Sequence, residues 1–328
     1  MLFSIYIKLL WLIIDLLLEV AMGDFENYAA NILCQICGSP KQKILGRRGN
    51  REFMNAPETT VHLSTNIVQC RECSFIYCNP RILVSEKLEK EHYNNPISYL
   101  ASQNPLVEQA FIDGFATLRK YKKNGKLLDV GAGKGEFLSF AKRQGFFVSG
   151  IEPSPLFCDY AASELGVQIF CGELMAFKRS IPQGSIFDVV TLFHVLEHVK
   201  DPARILSELV PILSSESIVY IEVPNADATL LKIVDFYYRI SRRGWSSRLS
   251  PVHPPFHSIG FTKKSLKLLL KNTGFEIVEI DTFTGKNRGH QVKGRFTGLS
   301  SVLRSFIVET IGRLPNKELI GAVVRAKN

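Results

Sequence analysis

The chain has 328 residues, 22% charged and 46% hydrophobic, which suits one large folded domain with a small companion and excludes a fibrous, low-complexity or disordered polypeptide. Its formal charge of +9 is uneven, because Leu231 to Asn328 hold 18 Lys/Arg against 6 Asp/Glu and the remainder is slightly acidic. Such a basic third is either a solvated face or an attractor for an anionic substrate, a membrane surface or nucleic acid; the last is disfavoured, since no aromatic interleaving for stacked bases accompanies the charge.

Residues 1–22, MLFSIYIKLLWLIIDLLLEVAM, are apolar but broken by Lys8, Asp15 and Glu19. A spanning helix wants roughly 20 nearly uncharged residues, and a secretory signal wants basic residues first and small ones at its end. The segment is expected to be a mis-set start or a loose amphipathic anchor, with membrane association possible only through it and the chain otherwise cytoplasmic. Seven cysteines without a secretion signal point to a reducing compartment and to metal ligation ahead of disulfides.

Four of them form two C-x2-C knuckles: Cys34 and Cys37 in CQICGSP, Cys70 and Cys73 in CRECSFIYCNP. A two-residue spacer lets both thiolates of a knuckle face one ion, and four thiolates with no open position describe structural rather than catalytic zinc. A zinc-binding module is therefore expected over residues 30–82, its metal contributing to the folding of a unit too small for a good core. Paired free thiols are the alternative; Cys78 is spare, and Cys158 and Cys171 read as core thiols.

From Lys126 onward, short apolar runs alternate with helical stretches. KLLDVGAGKGEFLSFAKRQG reads as strand, glycine turn and helix; FFVSGIEPS and VQIFCGE read as strands; FDVVTLFHVLEH reads as strand then helix; SIVYIEVPN is again a strand. The βαβ repetition predicts a doubly wound α/β domain, whose ligands bind beyond the carboxyl ends of the strands. Gly131, Gly133 and Gly135 follow the strand carrying Asp129, and Glu152 closes the next strand, where a carboxylate can accept from both ribose hydroxyls. A nucleoside-containing cofactor is favoured, but Glu136 stands where a dinucleotide fingerprint needs its third glycine.

Taken in order, LLDVGAGKGEFL, GIEP, FDVVTLFHVLEHVKDP, IEVPN and FHSIGFT resemble a class I S-adenosylmethionine-dependent methyltransferase over roughly residues 90–285. The resemblance implies a Rossmann-like, mostly parallel seven-stranded sheet, with a substrate-side insertion at 226–260 and a basic segment at 286–328 completing the sheet. It implies that Asp129, Gly131, Ala132, Gly133 and Gly135 border the methionine part of the cofactor, that Glu152 holds the ribose, that Gly172 and Glu173 meet the adenine, and that Phe193 and His194 line the reactive end. With the cysteine module in front, the chain is similar to the sugar C-methyltransferases, which carry a further C-terminal domain for which this chain leaves no room. That departure weighs against methylation of a sugar carbon and leaves the acceptor a small molecule with an oxygen, nitrogen or carbon nucleophile, a sugar or an anionic metabolite.

Methyl transfer from a sulfonium is an in-line displacement, so the protein must align the nucleophile and, where needed, remove its proton. Two histidines are placed for this: His198, expected one turn below His194 on the helix after the fourth strand, and His257 in SPVHPPFHSIGFT. A histidine in a similar loop is the base of the sugar-methylating relatives, although Phe256 replaces the acidic neighbour found there. For His198 a purely structural hydrogen bond to the loop VKDP is the alternative. His253 with Pro251, Pro254 and Pro255 reads as a stiff lid, and Tyr237, Tyr238 and Trp245 as pocket lining or plain packing.

Two other functions compete. The order H-x-x-E-H of His194, Glu197 and His198 occurs in one class of metallopeptidase, but there it sits on a long helix, whereas His194 here directly follows the apolar strand DVVTL, so the order reads as coincidental. A zinc-containing scaffold with a degenerate methyltransferase domain is the second, and Asp129, Gly131, Gly133 and Glu152 argue against degeneration.

Overall fold

A computed structural model describes residues 29–49, 64–82, 105–251, 256–284 and 315–327. Residues 1–22 and the lid residues His253, Pro254 and Pro255 lie outside the described residues. Among those described, no helix is long and apolar enough to cross a membrane.

The N-terminal part is a small antiparallel unit. Strand β1 (Ala29–Ala30) pairs with β5 (Arg81–Ile82), while β2 (Gln42–Gly49), β3 (Ser64–Cys70) and β4 (Ile76–Asn79) form a meander. All four residues of β4 are buried: Tyr77 joins the core shared with the larger domain, and Ile76 and Cys78 on the other face pack with Ile67, Ala226 and Leu249.

The larger domain runs α1 (Pro105–Arg119), β6 (Gly125–Val130), α2 (Glu136–Arg143), β7 (Phe146–Glu152), α3 (Pro155–Leu165), β8 (Ile169–Cys171), α4 (Leu174–Ser180), β9 (Val189–Phe193), α5 (Pro202–Leu209), β10 (Ile218–Pro224), α6 (Thr229–Ile240), β11 (Ile259–Gly260), α7 (Lys263–Asn272), β12 (Phe275–Phe283) and β13 (Leu319–Ala326). Its seven-stranded sheet has the order β12-β13-β10-β9-β6-β7-β8, parallel except for β13, which is antiparallel to β10 and β12. This is the doubly wound Rossmann-like α/β sheet. Strands β9 and β10 are almost wholly buried, as continuous apolar runs must be when helices cover both faces. The chain steps outward from β6 through β7 to β8 and then returns to β9 beside β6, so the switch point lies between β6 and β9.

Two arrangements differ from expectation. No helix follows β9 directly: residues 194–200 form bends and a turn, and α5 begins only at Pro202. His194 has φ 55°, which no helix accommodates, and Asp201 caps α5 by accepting from the Arg204 amide at 2.9 Å. His194 and His198 therefore do not sit one helical turn apart. The second is β11, in the stretch SPVHPPFHSIGFT read as a loop: it pairs antiparallel with β4, joining the N-terminal meander as its fourth strand.

Candidate functional site

The turn after β6 lies at the carboxyl end of its strand, beside the switch point, where a doubly wound sheet has its ligand cleft. Gly131 and Ala132 both donate backbone N–H bonds to the Ile151 carbonyl at 2.9 Å, tying the turn to β7. Gly131 has φ 75°, and a Cβ there would come within 2.6 Å of Val195, so glycine lets the turn lie against the segment after β9. A Cβ on Gly133 would meet nothing within 4 Å, so the turn is open at this residue. Gly135 caps the start of α2 with φ 78°.

Glu152 stands opposite, at the end of β7, with Oε2 accepting from Gly133 N and Oε1 from Ser154 N, each at 2.9 Å. Burial raises its pKa, and those two amides oppose the rise. Each oxygen keeps a lone pair for a further donor. Asp129 is deeper, 3% exposed, its Oδ1 accepting from Thr191 Oγ1 at 2.6 Å; burial pushes its pKa up to about 7. Asp129 thus braces β6 against β9 beneath the turn. Ala132 is buried, while Glu173 is exposed at the head of α4, where Gly172 N donates to the Glu152 carbonyl at 3.0 Å. Phe193, at the end of β9, packs against Phe137 at 4.7 Å and Tyr220 at 5.2 Å between ring centroids.

His194 holds a left-handed conformation, a strained one for a residue with a side chain. Nδ1 lies 3.2 Å from Glu197 Oε1 and Nε2 3.2 Å from Glu222 Oε1, and both carboxylates are 2% exposed. Burial disfavours its charge, but the two carboxylates outweigh that and lift its pKa to about 10. Both nitrogens of His194 are thus engaged by carboxylates that favour its protonated form, leaving neither free to take a proton from an acceptor. Tyr220 donates to Glu222 Oε2 at 3.0 Å, completing a line of buried polar groups beneath the cleft.

Beside that line, His198 and His257 meet edge to face, 4.8 Å between centroids at 66°. Residues 196–198 form the turn that carries His198, and His257 arrives on the segment leading into β11, where Cys78 N donates to the neighbouring Ser258 carbonyl at 3.0 Å. The N-terminal meander thereby fixes the loop bearing His257. Glu197 completes the group: its donor oxygen and one ring nitrogen from each histidine lie within 4.8 Å of one another. Glu222 and Tyr220 escape the sequence reading, although a carboxylate in the apolar strand IVYIEVP is a local signal for Glu222; Glu197 figures there only in the H-x-x-E-H order read as coincidental.

The four cysteines converge. Cys34 and Cys73 sulfurs are 3.4 Å apart and Cys37 and Cys70 sulfurs 3.5 Å apart, with all four within 4.8 Å of one another. The Cys73–Cys34 hydrogen bond pulls Cys34 down and pushes Cys73 up, and burial raises Cys37. Four thiolates this close would repel without a cation, and an all-sulfur set with no fifth donor among the described residues matches tetrahedral zinc.

A separate cavity of about 470 Å³ lies between the meander and α6, lined by Lys43, Gln69, Lys232, Phe236, Arg239 and Arg248 among others. None of the predicted site residues borders it, nor do Tyr237, Tyr238 and Trp245. Tyr238 instead packs edge to face on Trp245 at 5.5 Å, under the Arg243 guanidinium.

Residues 105–280 match the family described as Methyltransferase domain. A ubiquinone biosynthesis O-methyltransferase of Aeromonas salmonicida (strain A449) is 30% identical over 118 residues, covering 34% of this chain and 50% of the relative. Its counterpart from Cupriavidus pinatubonensis is 26% identical over 196 residues, covering 58% of this chain and 74% of the relative. The match thus spans half the length of the first relative and about three quarters of the second. A solved S-adenosylmethionine-dependent methyltransferase from Archaeoglobus fulgidus superposes with a TM-score of 0.47 and 20% identity, over 66% of this chain and 93% of that one.

Proposed function

The chain belongs to the class I S-adenosylmethionine-dependent methyltransferase family, and on that premise we propose that it methylates a small-molecule acceptor, with oxygen the favoured nucleophile. The observation that carries the cofactor reading is the pairing of Gly133 with Glu152: an open turn at the end of β6 and a hydrogen-bonded carboxylate at the end of β7. Glu152 would hold the ribose hydroxyls, Gly131 and Gly133 would let the backbone approach the methionine moiety, and Phe193 would wall the reactive end. When bound, S-adenosylmethionine supplies an activated methyl on a cationic sulfur. Held rigidly by two carboxylates, the charge of His194 belongs to the frame of the site rather than to proton transfer. Deprotonation of the acceptor would depend on His198 and His257, which meet edge to face beside that frame.

Oxygen is favoured because both relatives above are named O-methyltransferases. The basic C-terminal third suits an anionic acceptor. The cysteine cluster would hold structural zinc, supplying no chemistry to the reaction.

Calorimetry of the zinc-loaded protein with S-adenosylmethionine tests the cofactor reading, and Glu152→Ala should weaken binding by about tenfold or more through lost charge-assisted hydrogen bonds. No measurable heat from the folded protein would reject it. Transfer of a labelled methyl from the cofactor to small molecules of a cell extract tests the acceptor class; label found only in protein would overturn it.

A further inference from the structure

We infer that Glu197, His198 and His257 form a second metal site, which binds a divalent transition-metal ion on the acceptor side of the cleft. The donor atoms come from two segments 59 positions apart yet lie within 4.8 Å of one another, close enough to share one ion. Glu197 carries the independent sign. It is 2% exposed, Oε1 is taken by His194, and Oε2 has no hydrogen-bond partner among the described residues. A buried carboxylate oxygen without a donor is a costly feature unless a cation sits against it.

Two imidazoles and one carboxylate suit borderline ions such as zinc, cobalt or ferrous iron, and three protein ligands leave positions open for water or substrate. The set differs in kind from the closed, all-sulfur cysteine cluster. It also differs from the H-x-x-E-H reading of the sequence, because both nitrogens of His194 are occupied by Glu197 and Glu222. That contact holds Glu197 in place, so His194 is a positioning residue for the site.

The ion's role rests on the proposed oxygen acceptor, although its binding does not. A hydroxyl on the ion would have its pKa lowered and release its proton to solvent. Its oxygen lone pair would then form the O–CH3 bond as the S–CH3 bond breaks, the sulfur keeping that electron pair and becoming a neutral thioether. His198 and His257 would thus serve deprotonation as ligands.

The test is a cobalt titration of the full-length, metal-depleted protein followed by visible absorption, with S-adenosylmethionine calorimetry on the same preparation. We expect one ion with sulfur-to-cobalt charge-transfer bands and another that adds only the weaker bands of nitrogen and oxygen ligation. Glu197→Gln, nearly isosteric, and His257→Ala should each weaken the latter ion by about 100-fold or more while the sulfur bands persist. Absorption that saturates with the sulfur bands, or a further ion indifferent to both substitutions, would overturn the site. Cobalt binding at this site without cofactor binding would support the site while rejecting the proposed function.

Discussion

Asp129 shows how much of the cleft is scaffolding. Its carboxyl sits beneath the glycine turn, bonded to Thr191, with a pKa raised by burial to about 7 from an ordinary 3.8. The folded protein therefore binds this proton more tightly than the unfolded chain, so the contribution to stability is whole below about pH 4 and declines as pH rises through about 7. The loss has an upper bound of roughly 4 kcal/mol by pH 8, taking each pKa unit as about 1.4 kcal/mol. Asp129→Asn keeps the acceptor for Thr191 and carries no charge. We expect the variant's stability advantage in urea unfolding to grow from pH 5.5 to pH 8, the comparison with wild type cancelling the effect of pH on the cysteine cluster. Parallel stability curves would refute the assignment.

At the scale of elements, β11 joins two parts of the molecule. It pairs with β4 through Ile259–Tyr77 and Gly260–Ile76, and the segment entering it carries His257. A Cβ on Gly260 would lie 2.6 Å from Ala226 and 2.8 Å from Leu249, so Gly260→Val should push the strand off its register. We expect turnover to fall about 100-fold, the scale of a 1 Å misplacement of reacting groups, while affinity for S-adenosylmethionine stays nearly unchanged because the glycine turn lies on other strands. Equal losses in both would show that β11 does not act through His257. The same element marks the limit of what local sequence reveals. Strand β6, its glycine turn and α2 are legible because a short apolar run gives way to a helical period at glycines, and the cysteine knuckles are legible from spacing. The stretch after β9 is misread because VLEH has good helix formers, yet a left-handed His194 and the cap at Asp201 delay α5 to Pro202. The meeting of His257 with His198 depends on a strand pairing between residues far apart in sequence, and no periodicity records that.

Across the whole molecule, the cysteine unit shares its core with the methyltransferase domain. One cluster of buried residues runs from Cys34, Val68, Phe75 and Tyr77 into Leu192, Leu196 and Phe261. Phe75 stacks with Tyr77 at 5.8 Å between centroids and tilts onto Phe261 at 5.5 Å, while Gln35 donates to the Lys200 carbonyl at 2.6 Å, in the loop before α5. Contacts that continuous leave no surface along which the unit could detach without exposing apolar rings from both sides. Metal bound by Cys34, Cys37, Cys70 and Cys73 should therefore stabilise the entire chain by mass action, not the N-terminal strands alone. Scanning calorimetry with a strong chelator, or with Cys34 and Cys73 both changed to Ser, should show a single transition displaced to lower temperature. If the larger domain melts at its original temperature after the cysteine unit has already unfolded, the two are independent, and β11 must reach its place without the metal.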